Sequence, residues 1–182
     1  MFCPHALFCL FFSKKALHSR VIFQTARFFI ILPAKQNRMI VAKEFKWEAA
    51  HRLPRHNGKC KHLHGHSYKM VVEFEGEPDE TGMVMDFNVL KSLVQPIVDQ
   101  LDHTTIIAKS DVELRETFLA KSWKYFEMEK ESTAENLCAL ILDFITKNNL
   151  QLLRTNSIRA ICIKISETAS AYASLRVEMA AG

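Results

Sequence analysis

The sequence predicts an α+β domain, an antiparallel four-stranded sheet with two helices on one face. Three observations predict it. Alternating segments rich in β-branched and aromatic residues fall at Ile40–Ala50 and Tyr68–Glu75, and again at Ile158–Ser166 and Tyr172–Glu178. Two stretches with helical apolar spacing lie between these pairs. The order β-β-α-α-β-β places the helices together over one sheet face. At 182 residues the chain fits about one domain and can bury a core without disulfides or a structural metal.

Each element has a local cause. The first two strands alternate around the His-rich segment 51–66. Glu75-Gly-Glu-Pro-Asp-Glu-Thr-Gly82 is turn chemistry, and a short strand is expected at Met83–Met85. Asp86 caps a helix that carries Phe87, Leu90, Leu93, Val94, Ile97, Val98 and Leu101 on one face. Pro96 lies inside that pattern and is expected to bend or divide it. Ser132-Thr-Ala-Glu135 reads as a capping box opening a second helix, with Leu137, Leu140, Ile141, Phe144 and Ile145 in one stripe. In the third long strand Ile158, Ala160 and Cys162 oppose Ile161, Ile163 and Ile165, so both faces are apolar. Two helices cover only one of them, which points to a neighbouring subunit on the other.

Composition narrows the class. Hydrophobic residues make up 48% and charged ones 24%, an ordinary globular balance. No apolar run approaches the roughly 18 residues of a membrane span. Five widely spaced cysteines, at 3, 9, 60, 138 and 162, suggest reduced thiols in a cytoplasmic protein. The net charge of +4 is unevenly spread. Six of the 24 basic residues lie in residues 1–38, leaving 18 against 20 acidic ones, a net of −2 for the rest. A slightly acidic body weighs against a nucleic-acid binder.

Residues 1–38 contain phenylalanine clusters, scattered basic residues and no acid. A transit peptide would have an acid-poor, Arg-bearing composition. The favoured reading is an over-extended start, with translation beginning at Met39. Either way residues 1–38 are expected to be disordered or poorly packed, and residues 39–182 form the domain.

Five of the eight histidines fall between residues 51 and 66. His64 and His66, two apart at a strand start, project from one face, and Gly65 between them lets the backbone come close. A hairpin returns His51 to that pair. Three neutral imidazoles with one open position are what a catalytic zinc needs. The rival is a closed structural site with Cys60 as the fourth ligand.

Phe45-x-x-x-x-x-His51, Cys60-x-x-x-His64-Gly-His66-Ser-Tyr68, Met85-Asp86-Phe87, Leu101-Asp102-His103, Ser132-Thr-Ala-Glu-Asn136 and Ser166-Glu167-Thr168 occur in that order. In these motifs the chain resembles the 6-pyruvoyl-tetrahydropterin synthase family over about residues 39–179. The three residues between Cys60 and His64 are similar to the spacing in the bacterial 6-carboxy-tetrahydropterin synthases (QueD) of queuosine biosynthesis. The resemblance implies the T-fold, whose subunits associate into a β-barrel with active sites between neighbours, commonly as a homo-hexamer.

The same resemblance implies roles. His51, His64 and His66 are the zinc (Zn2+) ligands. Cys60 is the general base, His103 a second proton-transfer group with Asp102 as its partner, and Glu167 the anchor of the pterin's amino-pyrimidine edge and part of the proton relay. The implied substrate is 7,8-dihydroneopterin triphosphate, a pterin triphosphate. The implied reaction yields 6-carboxy-5,6,7,8-tetrahydropterin, acetaldehyde and triphosphate, with 6-pyruvoyl-tetrahydropterin formation as the alternative. Cations beside a thiol favour its reactive thiolate form, and Arg52, Arg55, Lys59, Lys61 and Lys69 are the local candidates around Cys60. They could equally offset the triphosphate or merely solubilise a loop.

One stretch departs from compact members of the family. Within the 28 residues between His103 and Ser132, the aromatic, mixed-charge run Ser122-Trp-Lys-Tyr-Phe-Glu-Met suggests an added helix or a lid at a subunit contact. A tRNA-binding module finds little support, because the body is acidic and lacks an aromatic stacking motif.

Overall fold

The computed structural model describes residues 38–179. Apart from Arg38, the expectation for residues 1–38 lies outside them. Six strands form one mixed sheet in the order β4-β3-β1-β2-β5-β6. They are β1 (Met39–His51), β2 (His64–Gly76), β3 (Thr104–Ala108), β4 (Tyr125–Met128), β5 (Ile158–Ser166) and β6 (Tyr172–Glu178). The helices are α1 (Phe87–Leu101), α2 (Val112–Lys121) and α3 (Ala134–Thr155).

The four expected long strands are present, each antiparallel to its neighbour among them. The expectation of only four strands and two helices is corrected by the segment after His103. It folds as a β3-α2-β4 crossover, whose strands run parallel to β1 and to each other. Parallel neighbours need such a crossover, and α2 supplies it. β3 is buried along its whole length, so Thr104-Thr-Ile-Ile-Ala108 shows none of the alternation that reveals a half-buried strand. Ile106 joins the main core, whereas Ile107 packs with Leu114 and Phe118. Since neighbouring side chains point to opposite faces, α2 covers the sheet face away from α1.

The main core lies between the sheet and the two longer helices. Leu90, Val94 and Leu101 of α1, and Leu137, Ile141 and Ile145 of α3, are fully buried there. They meet Met70, Val72 and Phe74 of β2 and Ile161, Ile163 and Ile165 of β5. A register shift where β5 pairs with Glu75 and Gly76 resets side-chain parity, which is how Ile158 reaches the same core as Ile161 three residues later.

Local expectations fare unevenly. Asp86 caps α1 as expected, accepting from the amides of Asn88 and Val89 at 2.7 and 3.3 Å. The helix runs unbroken through Pro96, and Phe87 at its first position is exposed instead of buried. Met83–Met85 forms no strand; Asp79 gathers the amides of Thr81 and Met83 into a turn there. Among the described residues no helix is long and apolar enough to cross a membrane.

Candidate metal centre and active-site cavity

The register of β1 on β2 assembles the histidines. His51 pairs directly with His64, and Ala49 with His66, so all three rings stand on the helix-facing side at one end of the hairpin. The ring centroids are 4.7, 5.1 and 4.8 Å apart. One nitrogen from each ring lies within 4.8 Å of the others, close enough to hold a metal ion.

The proton positions suit that task. The Nδ1 of His51 lies 2.8 Å from the backbone carbonyl of Ser132. A carbonyl only accepts, so Nδ1 carries the hydrogen and Nε2 presents a lone pair. That Nε2 is buried and has no protein partner. An unmatched buried polar atom costs about 1–3 kcal/mol, and a cation at this point would satisfy it. His64 repeats the arrangement, its Nδ1 donating to the His62 carbonyl at 2.8 Å. Burial pushes His51 down to about 4, and the neighbouring His64 and His66 rings push the same way against the Ser132 hydrogen bond. Burial, then His64, also lowers His66. His51 and His66 are thereby held as neutral imidazoles, the form that binds a metal. Three imidazole nitrogens at this spacing fit a zinc site with an open position.

Tyr68 closes the floor of the site. Its ring stacks on Trp47 at 5.0 Å, and its hydroxyl lies 3.4 Å from His51 Nδ1. Burial pushes its phenol upward, and the charge of Glu167 adds to this.

Cys60 sits in a single 3-10 turn, Lys59–Lys61, pinned by a 2.8 Å hydrogen bond from the Leu53 amide to the Cys60 carbonyl. It is half-buried and lines a cavity of about 390 Å³ together with His56, Glu135 and Glu167. It is not a member of the histidine cluster. The Glu167 carboxyl is raised, first by burial and then by Glu135, while His64 opposes the shift. The structure therefore joins Cys60 and Glu167 in one space.

The expected capping box from Ser132 to Glu135 does not form as read, because the buried Ser132 hydroxyl has no hydrogen-bond partner. Thr133 is the N-cap of α3, its hydroxyl accepting from the Asn136 amide at 3.3 Å. Ser132 is fully buried, and its carbonyl orients His51. A backbone contact spanning 81 residues leaves no local signal in the sequence.

Asp102 and His103 lie elsewhere. His103 Nδ1 is 2.9 Å from the Asp102 carboxylate, on an exposed corner between α1 and β3. The Asp102 carboxyl is lowered, chiefly by the Glu48 amide donating to it at 3.0 Å and next by His103. His103 lines a shallow groove with Glu48, Ala50, Gly65, His66 and Ser67. Of these, Glu48, Ala50, Gly65 and Ser67 alternate with the three clustered histidines along the hairpin and so face the opposite side of the sheet. Within one chain, the groove of His103 and the cavity of Cys60 are separate.

The expected cluster of five cations is largely committed. Arg52 grips Asp111 with two 2.6 Å hydrogen bonds and Glu113 at 2.9 Å. Arg55 pairs with Glu131, and Lys69 with Glu44 at 2.6 Å. Only Lys59 and Lys61, either side of Cys60, have no ion pair among the described residues.

The fold is that of solved tetrahydropterin synthases. It superposes on the 6-pyruvoyl tetrahydropterin synthase of Plasmodium falciparum with a TM-score of 0.64 at 22% identity, covering 78% of this chain and 99% of that one. The Plasmodium vivax counterpart gives 0.62 at 20% identity, with the same coverage. Residues 40–178 match the family model for 6-pyruvoyl tetrahydropterin synthase, and the chain belongs to that family. Relatives named 6-carboxy-5,6,7,8-tetrahydropterin synthase include one from Synechocystis, 40% identical over 97 residues, which are 50% of this chain and 75% of the relative. Another, from Haemophilus influenzae, is 37% identical over 111 residues, 57% of this chain and 79% of the relative. The chain is thus an enzyme of the tetrahydropterin synthase family, related to lyases of the 6-carboxy type.

Proposed function

We propose that this chain is a zinc-dependent carbon–carbon lyase. It takes 7,8-dihydroneopterin triphosphate and water to 6-carboxy-5,6,7,8-tetrahydropterin, acetaldehyde and triphosphate, the queuosine-pathway reaction. The observation that carries the reading is Cys60, outside the histidine cluster, sharing a cavity with Glu167 beside three histidines whose nitrogens are close enough to share one ion. The names of the relatives favour the 6-carboxy product.

His51, His64 and His66 would hold the zinc, whose positive charge lowers the cost of removing protons next to the substrate's side-chain hydroxyls. Glu167 receives the donor edge of the amino-pyrimidine ring, where a carboxylate is the matching acceptor. Its half-buried position makes that hydrogen bond stronger than it would be in water. Cys60 takes a proton from the side-chain carbon, and Lys59 and Lys61 supply positive charge around the thiolate. Asp102 fixes the ring of His103, which serves as the second proton carrier.

Because His103 and Cys60 open on different sides of the sheet, the reading assigns them to one site only across neighbouring copies. That favours a homo-oligomer, with the hexamer as the proposed form. The test is to incubate purified, zinc-loaded protein with 7,8-dihydroneopterin triphosphate and assay acetaldehyde. Stoichiometric acetaldehyde with the 6-carboxy pterin is the expected result. Triphosphate release without acetaldehyde would instead indicate the 6-pyruvoyl reaction, and no turnover would overturn the enzymatic reading.

A further inference from the structure

The segment 104–131 supplies a side chain to the Asp102–His103 corner that none of the roles above includes. His103 has a left-handed backbone, with φ of 53°. For a residue with a side chain this conformation is strained, so it persists only when its surroundings impose it. Two of the restraints come from β1: the Glu48 amide donates to the Asp102 carboxylate at 3.0 Å, and the His103 amide donates to the Glu48 carbonyl at 2.7 Å. The third comes from Lys124, whose ammonium donates to the Asp102 carbonyl at 2.9 Å.

That carbonyl belongs to the peptide joining Asp102 to His103, so its direction sets the His103 backbone. Lys124 is itself well anchored. Ser122 ends α2 in a left-handed turn, with φ of 54°. The Trp123 amide bonds the Phe118 carbonyl at 3.0 Å, and the two rings meet edge to face at 5.3 Å. The next residue, Tyr125, pairs with Thr105 in the sheet. The Lys124 backbone is thereby tied to β3, which begins directly after His103, and only the lysine side chain has to be ordered to make the contact. A cation here also sits favourably against the C-terminal end of α1.

We infer that Lys124 is a positioning residue for the Asp102–His103 pair, clamping the peptide between them from the side opposite β1. The inference rests on the proposed role of His103 as a proton carrier. A mispositioned proton carrier loses rate without losing substrate affinity, because the ground-state contacts are untouched.

Lys124→Ala, Lys124→Met and Lys124→Arg are compared with the wild type. The measurements are steady-state kinetics on 7,8-dihydroneopterin triphosphate, zinc content, thermal midpoint, and amide hydrogen exchange at His103. With Ala or Met, kcat falls about tenfold while KM stays within about twofold, and the His103 amide exchanges about tenfold faster. Arg restores at least half of kcat by donating to the same carbonyl. Zinc content and thermal midpoint stay at wild-type values, because Lys124 is exposed. The inference is overturned if kcat stays within twofold of wild type, if the loss appears in KM, or if exchange at His103 is unchanged. If the wild type itself does not turn over this substrate, the proposed function fails, and hydrogen exchange alone decides the clamp: faster exchange supports it and unchanged exchange removes it.

Discussion

His51 at the end of β1 is hydrogen-bonded through Nδ1 to the carbonyl of Ser132, 81 residues later, at 2.8 Å. The contact ties the histidine-bearing hairpin to the entrance of α3 and selects the tautomer with its lone pair on Nε2, the buried nitrogen that has no protein partner. Removal of the ion should then destabilise the fold as well as empty the site. Zinc binding at about a thousandfold excess over Kd adds about 4 kcal/mol, so chelation should lower the thermal midpoint by several degrees. His51→Ala should bind no zinc by elemental analysis and show no response to chelator. Unchanged zinc content in that variant would exclude the site.

The same burial gives the metal-free protein a pH signature. His51 titrates near 6.5 when unfolded and at about 4 when folded. Between those values the unfolded chain binds a proton that the folded chain does not, so stability falls as pH drops from about 6.5 to about 4. The shift corresponds to about 3 kcal/mol at full effect. Denaturant unfolding of apo-protein should trace this slope, and His51→Gln should flatten it.

Cys60→Ala separates the catalytic reading from a closed structural site. Cys60 is outside the histidine cluster, so zinc content and thermal midpoint should persist while turnover falls by about 10²–10⁴-fold, the usual reach of a general base. Joint loss of zinc and fold would make the thiol a fourth ligand.

Glu167→Gln keeps the shape but removes the charge of the pterin acceptor. A hydrogen bond involving a charged group contributes about 1.5–3 kcal/mol, so KM should rise by about 10–100-fold, read from initial rates. Unaltered KM would exclude Glu167 from substrate binding.

Arg52 and Asp111 hold the loop after His51 against the start of α2. The Asp111 carboxyl is lowered chiefly by Arg52, so its contribution is complete above its unfolded value near 4 and fades as pH falls through the lower folded value. Asp111→Ala should destabilise by about 1–3 kcal/mol, since it removes a helix cap and two of the three hydrogen bonds of a half-buried guanidinium, leaving it only the exposed Glu113. Urea unfolding at pH 7 measures the loss.

The four long strands, the two longer helices and the three histidines were legible in the sequence because each has a short-range signature. Strand alternation places His64 and His66 on one face, and a hairpin has few ways to return His51 to them. Asp86 and the leucine-rich stripes mark helices through contacts a few residues apart. Segment 104–131 was legible only as an oddity: β3 is buried on both faces and β4 is four residues long, so neither alternates over a readable length.

What the chain's order of residues determined alone was the family, the four long strands with the two longer helices, and the identity of the candidate ligands and base. Tertiary structure decided the rest: that Ser132 orients His51, that Glu135 raises Glu167, that Arg52, Arg55 and Lys69 are already paired, and that His103 opens on the far side of the sheet from Cys60. Those are contacts between distant segments. They depend on strand register and on which face each residue occupies, and a shift of one position would reverse them while leaving every local motif intact.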